Sequence, residues 1–235
     1  MTHIINLINN ATPDNFQLKE LIENFIRTPG IKRSIDKAYE IVSYALFETV
    51  ICAFEATVTI TVPEKNRDFI REFNDLASVL LGIQENDLTW THQAHIYRVG
   101  VTNAADRGLD MWANFGPAIQ VKHLTLNSSI ANEIVDQVES DHIVIVCSDA
   151  DAGVIEAISR QIGWGRRVRG IVKESNLIDW YERCLRGNFS DRLANTLLET
   201  LREHFALEFP QTTTLVEFLS ERGYTNMVTS PLWTV

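Results

Sequence analysis

Nowhere in this chain does an apolar run reach the about 18 residues that a membrane span requires. The opening MTHIINLINN also lacks a basic stretch followed by an apolar core, so neither an anchor nor a secretory leader is expected. A cytoplasmic protein is the expectation. Cysteine is scarce: Cys52, Cys147 and Cys184 are odd in number, widely spaced and set in apolar stretches, which points to reduced core thiols rather than a disulfide or zinc framework. Proline and glycine form no linker and no low-complexity run, and with 45% of residues hydrophobic the chain is expected to be compact almost throughout. Four motifs are absent: G-x-x-x-x-G-K-[ST], G-x-G-x-x-G after a strand, H-E-x-x-H and G-x-S-x-G. Nucleotide hydrolysis, zinc proteolysis and serine hydrolysis therefore have no basis here.

Positive charge is also in short supply. The net charge is −10, which at face value disfavours a polyanionic partner. Its distribution is uneven, because residues 160–192 hold 8 basic side chains (Arg160, Arg166, Arg167, Arg169, Lys173, Arg183, Arg186, Arg192) against 4 acidic ones. One reading is a solvated, ion-paired face. The other is a phosphate-tracking surface around Gly163-Trp164-Gly165-Arg166-Arg167-Val168-Arg169-Gly170, whose glycines would let backbone approach a ligand.

The most informative segment runs from Arg107 to His123, RGLDMWANFGPAIQVKH. Its second half alternates, with Ile119 and Val121 on one face of a strand and Gln120 and Lys122 on the other. Asp110 on the preceding arm completes a set that suits phosphodiester hydrolysis: two oxygen ligands for a hard cation, and a lysine to position water and offset developing charge. If Phe115-Gly116-Pro117 forms a three-residue loop, Asp110 lies opposite Lys122 and Trp112 opposite Gln120, all on one face, whereas a one-residue slip would reverse Asp110. A neutral amide holds Mg²⁺ less strongly than a carboxylate. Glu48 or Asp106 is therefore a candidate to supplement Gln120.

The remaining pattern predicts a helix over 15–27, then a long apolar helix from Ile35 to about Phe54, capped by Ser34 and carrying Glu40 and Glu48 on one face. Strand 56–62, helix 66–81, strand 95–101, the hairpin, helix 130–138, strand 142–147, helix 153–162, strand 168–172 and helices near 177–185, 191–205 and 214–221 follow. That order implies a mixed sheet flanked by helices in a single α/β domain over 1–235, with a core at about 34–174 and a helical portion at about 175–235. No internal repeat is present. Asp149 and Asp151 follow a strand, where paired acids can hold a metal, but a helix N-terminal cap is the more economical role. His123 can reach a phosphate or serve the strand end structurally. The five tryptophans are expected in the core, Trp164 excepted.

Asp110 followed by Gln120-Val121-Lys122 on a strand resembles the PD-(D/E)xK nuclease superfamily in a Gln-x-Lys variant, although Leu109 replaces the proline of the motif's name. The stretches YRVGVTNAADRGLDMWANFGPAIQVKHL, IDWYERCLRGNFS and FALEFP are similar to type II restriction endonucleases of the HaeII family. This resemblance implies a restriction-endonuclease-like αβββαβ core and Mg²⁺-dependent cleavage of double-stranded DNA by a two-fold homodimer. It also implies roles for Asp110, Gln120 and Lys122 in catalysis. DNA contacts are expected from Arg166, Arg167, Arg169 and His123, and dimer contacts from helices after Asn176. A repair or recombination nuclease with the same site, a topoisomerase-primase-like enzyme using Asp149 and Asp151, and a catalytically silent DNA-binding protein are the alternatives.

Overall fold

The computed structural model describes residues 2–28, 34–99, 109–161 and 163–209. Asp106, Trp233 and the helix expected near 214–221 lie outside these residues. Two amphipathic helices, α1 (Thr2–Asn9) and α2 (Leu18–Arg27), precede α3 (Ile35–Ala53), which is the long apolar helix anticipated from sequence. Ser34 precedes it without a side-chain cap. Helix α3 is buried on most of its circumference, as its near-continuous run of Ile, Val, Ala, Leu and Tyr requires.

Strand β1 (Thr57–Thr61), helices α4 (Arg67–Glu72) and α5 (Asn74–Leu81), and strand β2 (Thr89–Gln93) form a satellite unit. The strands pair antiparallel as a two-stranded sheet, and Ile70, Ala77, Ile83 and Leu88 make a small core of their own. The single helix expected over 66–81 is broken at Phe73. The threonine-rich β2 carries no run of apolar residues that would announce a strand. Trp90, expected in the core, is 40% exposed on β2, where it stacks on His92.

Five strands make the main sheet in the order β3 (Ile96–Arg98), β4 (Met111–Ala113), β5 (Ala118–Leu126), β6 (Ile143–Ala150), β7 (Val168–Lys173). Its first two pairings are antiparallel and its last two parallel. Helix α6 (Ser128–Gln137) makes the crossover between β5 and β6, with Asn127 Oδ1 accepting the Ile130 N–H as its cap. Helix α7 (Ala152–Ser159) links β6 to β7, and α8 (Glu174–Arg186) and α9 (Ser190–Glu208) close the described chain.

Alternation along the strands supplies two cores. Met111, Ala113, Ile119, Val121, Val146 and Val172 face α3, α8 and α9, together with α1 and α2. Ala118, Ile143, Ile145, Cys147 and Val168 face α6 and α7. In α9 the buried positions Leu197, Leu198, Leu201 and Phe205 are each worth roughly 1.5–3 kcal/mol of burial. The three cysteines are unpaired, as expected. No helix among the described residues is long and apolar enough to cross a membrane.

Candidate active site

The hairpin between β4 and β5 turns one residue earlier than its sequence suggested. Ala113 donates its N–H to Pro117 O at 2.9 Å, so the three-residue loop is Asn114-Phe115-Gly116, with Gly116 at φ +118°. That dihedral is open to glycine and strained for other residues. Met111 therefore pairs with Ile119 and Trp112 with Ala118, not with Gln120. The expected pairing is off by two residues, which preserves the faces: Trp112 shares its face with Gln120 and Lys122, and Asp110 falls level with Gln120 instead of Lys122. Trp112 is 44% exposed and stacks on Tyr97, so it too stands outside the core.

An uninterrupted ladder would have the Val121 N–H donate to the carbonyl of residue 109. Strand β4 stops short, and the Asp110 carboxylate accepts that N–H at 2.7 Å. The Asp110 carbonyl meanwhile accepts the Val99 N–H at 2.9 Å. Backbone on one side and carboxylate on the other thus hold Asp110 between the two neighbouring strands. Burial raises its acid above the ordinary carboxylate value, against the Val121 N–H and the positive charges of Lys122 and Lys37, which lower it.

Gln120 is 3% exposed, and its Oε1 accepts no hydrogen bond among the described residues. A buried carbonyl oxygen left without a partner is costly unless an electrophile reaches it. Lys122 is two residues on, on the same side of β5, and its charge is felt at Asp110. Directly after Lys122 the β5–β6 register shifts, and His123 lies within the shifted segment. The His123 N–H donates to Asp36 Oδ1 at 3.2 Å, and its ring centroid lies 4.8 Å from that of Tyr39. The Tyr39 hydroxyl in turn donates to Glu174 at the start of α8.

Of the two glutamates on α3, it is Glu40 that approaches Asp110. It is 2% exposed, with Lys37 at 2.6 Å and Arg98 at 3.1 Å. Burial raises its acid, opposed by Lys37 and Arg98, and the charge of Asp110 raises it further. Arg98 also binds Glu208 of α9 at 3.0 Å, so a buried Glu40–Arg98–Glu208 set ties α3, β3 and α9 together. Glu48 is two turns farther along α3, about 12 Å. Its Oε2 accepts the Ile96 N–H at 2.6 Å and its Oε1 contacts His95 Nδ1 at 2.8 Å. Electrostatic contact thus links Asp110 to Lys122, Lys37 and Glu40, Gln120 lies level with Asp110 across the hairpin, and Glu48 lies farther along α3 on other partners. Sequence reading favoured Glu48 over Glu40; the structure brings Glu40 near Asp110 instead, because the choice depends on which end of α3 meets the start of β4.

The arginine cluster divides. Arg167 donates to the backbone carbonyls of Val135, Val138 and Ser140, at 2.7 Å to Val135 and 2.7–3.0 Å to Ser140, so its guanidinium serves the α6–β6 connection rather than a ligand. Arg160, Lys173, Arg186 and Arg192 have carboxylate partners. Arg166 is exposed and donates to Gln161 O, while Arg169 is exposed without an ion-pair partner among the described residues. Gly165 packs against α7, where a side chain would meet the Ala157 carbonyl, so this glycine serves helix packing and not ligand approach. The side chain of Trp164 lies outside the described set. Asp149 Oδ1 accepts the Ala150 N–H and pairs with Lys173 at 3.3 Å, and Asp151 precedes α7 without a side-chain cap. The expected capping role is not formed.

A helix, three strands, a helix and a further parallel strand, α3-β3-β4-β5-α6-β6, with an Asp at the strand-pair opening and Gln-x-Lys on the third strand, define a restriction-endonuclease-like fold. The sequence pattern described as HaeII restriction endonuclease matches residues 1–224, and the chain belongs to that family. It is 45% identical over 215 residues to the type II restriction enzyme HaeII of Haemophilus aegyptius, covering 91% of this chain and 61% of that protein. It is 44% identical over 232 residues to the type II restriction enzyme NgoBI of Neisseria gonorrhoeae, covering 97% of this chain and 65% of that protein. The chain thus spans less than two thirds of the length of these relatives. No solved structure matches it significantly.

Proposed function

We propose that this chain carries the catalytic site of a Mg²⁺-dependent, sequence-specific endonuclease of the type II restriction class, acting on double-stranded DNA. The observation that carries the proposal is a buried, partnerless Gln120 Oε1 on β5, level with the partly buried Asp110 on the neighbouring arm and followed two residues later by Lys122. An amide oxygen and a carboxylate form an oxygen donor set suited to a hard divalent cation. Bound there, magnesium polarises the scissile phosphate and lowers the cost of its developing charge.

Asp110 keeps one carboxylate oxygen on the Val121 N–H and presents the other to the site. Lys122 orients the attacking water and offsets charge on the phosphate in the transition state. Glu40 adds negative charge near Asp110 while Lys37 and Arg98 hold its oxygens, so it acts on the site's potential and not as a ligand. Asp106 remains a candidate supplementary carboxylate. Arg166 and Arg169 are assigned to DNA, and His123, directly after Lys122, to a neighbouring phosphate.

The reading extends to one nuclease domain over 1–235, supported by the core that joins α1 and α2 to α3, α8 and α9. It also includes a two-fold homodimer with one site per strand and a cytoplasmic location, with which three unpaired thiols agree. Incubating plasmid DNA with the protein and Mg²⁺, then sequencing the ends, tests it. Discrete ends at one short sequence are expected; scattered ends would favour a repair or recombination nuclease, and intact plasmid would favour a silent DNA-binding protein.

A further inference from the structure

Away from the Asp110 centre, α3 and the start of β3 bring together three side chains of a different chemical character. Glu48 and Cys52 are four residues apart and share a face of α3. His95 immediately precedes β3 and points its Nδ1 at both. Cys52 Sγ lies 3.1 Å from Glu48 Oε1 and 3.7 Å from His95 Nδ1, and the carboxylate and imidazole atoms are 2.8 Å apart. All three residues are intermediate in burial.

We propose that Glu48, Cys52 and His95 form a zinc site, distinct from the Asp110 centre, that clamps α3 to the strand leading into the hairpin. Tetrahedral zinc with a sulfur ligand at about 2.3 Å and nitrogen and oxygen ligands at about 2.1 Å sets its ligand atoms about 3.6 Å apart when sulfur is one of the pair, and about 3.4 Å apart otherwise. The triangle in this protein matches the sulfur–nitrogen edge and is shorter by roughly 0.5 Å on the other two, a difference that small rotations of the Glu48 and Cys52 side chains remove.

Both nitrogen and oxygen ligands are already oriented from behind. Glu48 Oε2 accepts the Ile96 N–H at 2.6 Å, which turns Oε1 toward the sulfur. The His95 backbone is held on both sides by Asn114, whose Oδ1 accepts the His95 N–H at 2.9 Å and whose N–H donates to His95 O at 3.1 Å. Outer contacts of this kind fix ligand direction in metal sites.

A thiolate, an imidazole and a carboxylate select zinc over magnesium, the reverse of the oxygen set at Asp110 and Gln120. Metal binding releases the Cys52 thiol proton to solvent, leaving a thiolate and a carboxylate that together neutralise the ion. With the His95 side chain 37% exposed, a fourth position is open to water. This occupancy also accounts for a glutamate that does not reach Asp110, and for a cysteine that the odd, scattered count in the sequence did not mark as a ligand.

The site is tested on the full chain, stripped with chelator, by calorimetric titration with Zn²⁺ alone and by the absorption spectrum with Co²⁺. One equivalent of zinc and a sulfur-to-cobalt charge-transfer band are expected. Cys52→Ser abolishes the band and weakens zinc binding by more than the ~10–100-fold that loss of an outer contact causes. His95→Ala weakens zinc binding similarly, so the result does not depend on one variant folding, and Asp110→Ala leaves both readouts unchanged. A band that persists in Cys52→Ser, or zinc affinity equal in wild type and both variants, would overturn the proposal.

Discussion

The Asp110 carboxylate accepts the Val121 N–H at 2.7 Å, in the place where the strand bearing Asp110 would otherwise supply a carbonyl. One side chain thus completes the sheet, and this structural role is separable by substitution from the chemical role proposed for it. Asparagine can keep the hydrogen bond through Oδ1 while losing the charge; alanine loses both.

Asp110→Asn is expected to fold with a melting temperature at pH 7 equal to or above that of the wild type, and to lose cleavage by about 10²–10³-fold. The sign follows from the raised acid of Asp110. A group whose value is raised on folding contributes stability that is complete below its unfolded value, about 3.9, and is lost as pH rises through its folded value. At pH 7 the ionised, partly buried Asp110 is therefore a liability that the neutral amide removes. Melting curves from pH 4 to pH 8 should show the advantage of the variant shrinking toward acid. A variant less stable than wild type at pH 7, with its advantage growing at low pH, would reverse this assignment.

Lys122→Ala should slow the chemical step by about 10²–10³-fold with DNA affinity nearly unchanged at fixed salt, because one peripheral charge is removed from binding but a central one from the transition state. Single-turnover cleavage and filter binding on the same preparation separate the two. Equal losses in both would make Lys122 a binding residue.

Arg98→Met leaves Glu40 and Glu208 buried without their shared cation. Breaking such a set typically costs about 3–5 kcal/mol, so the urea midpoint should fall steeply. The double change Arg98→Met with Glu40→Gln should recover part of the loss. A single-variant shift below about 1 kcal/mol would mean that the set contributes no more than a surface pair.

Arg167→Ala and Arg169→Ala should differ in kind. The first strips donors from the carbonyls of Val135, Val138 and Ser140 and is expected to lower stability by about 1–3 kcal/mol. The second should weaken DNA binding and leave stability unchanged. Salt titration on cognate and random DNA then distinguishes the role of Arg169: a phosphate contact weakens both alike and lowers the salt slope by about one, whereas a base contact weakens the cognate alone.

Periodicity made the core of the fold readable, because α3 and the first half of β6 are apolar runs whose burial follows from composition. The alternation of Ile119 and Val121 against Gln120 and Lys122 holds in the structure, since the strand is packed on both sides. What escaped the sequence was tertiary. Strand β2 is threonine-rich and exposed, so its pairing with β1 leaves no hydrophobic signature. The loop position in the hairpin depended on Gly116 taking a positive φ as the third loop residue, and Pro117 beside it suggested a turn one residue later. The basic run 160–192 resembled a phosphate surface because sequence cannot reveal carbonyl and carboxylate partners brought by α6, α7 and β6.

The most direct test of the central claim is single-turnover cleavage of a plasmid by wild-type protein and by Asp110→Asn, in Mg²⁺, with both shown to be folded and to bind the DNA. The account predicts discrete, site-specific fragments from the wild type and intact plasmid from the variant over the same period. Cleavage by folded Asp110→Asn at the wild-type rate would contradict it and move the active site elsewhere in the chain.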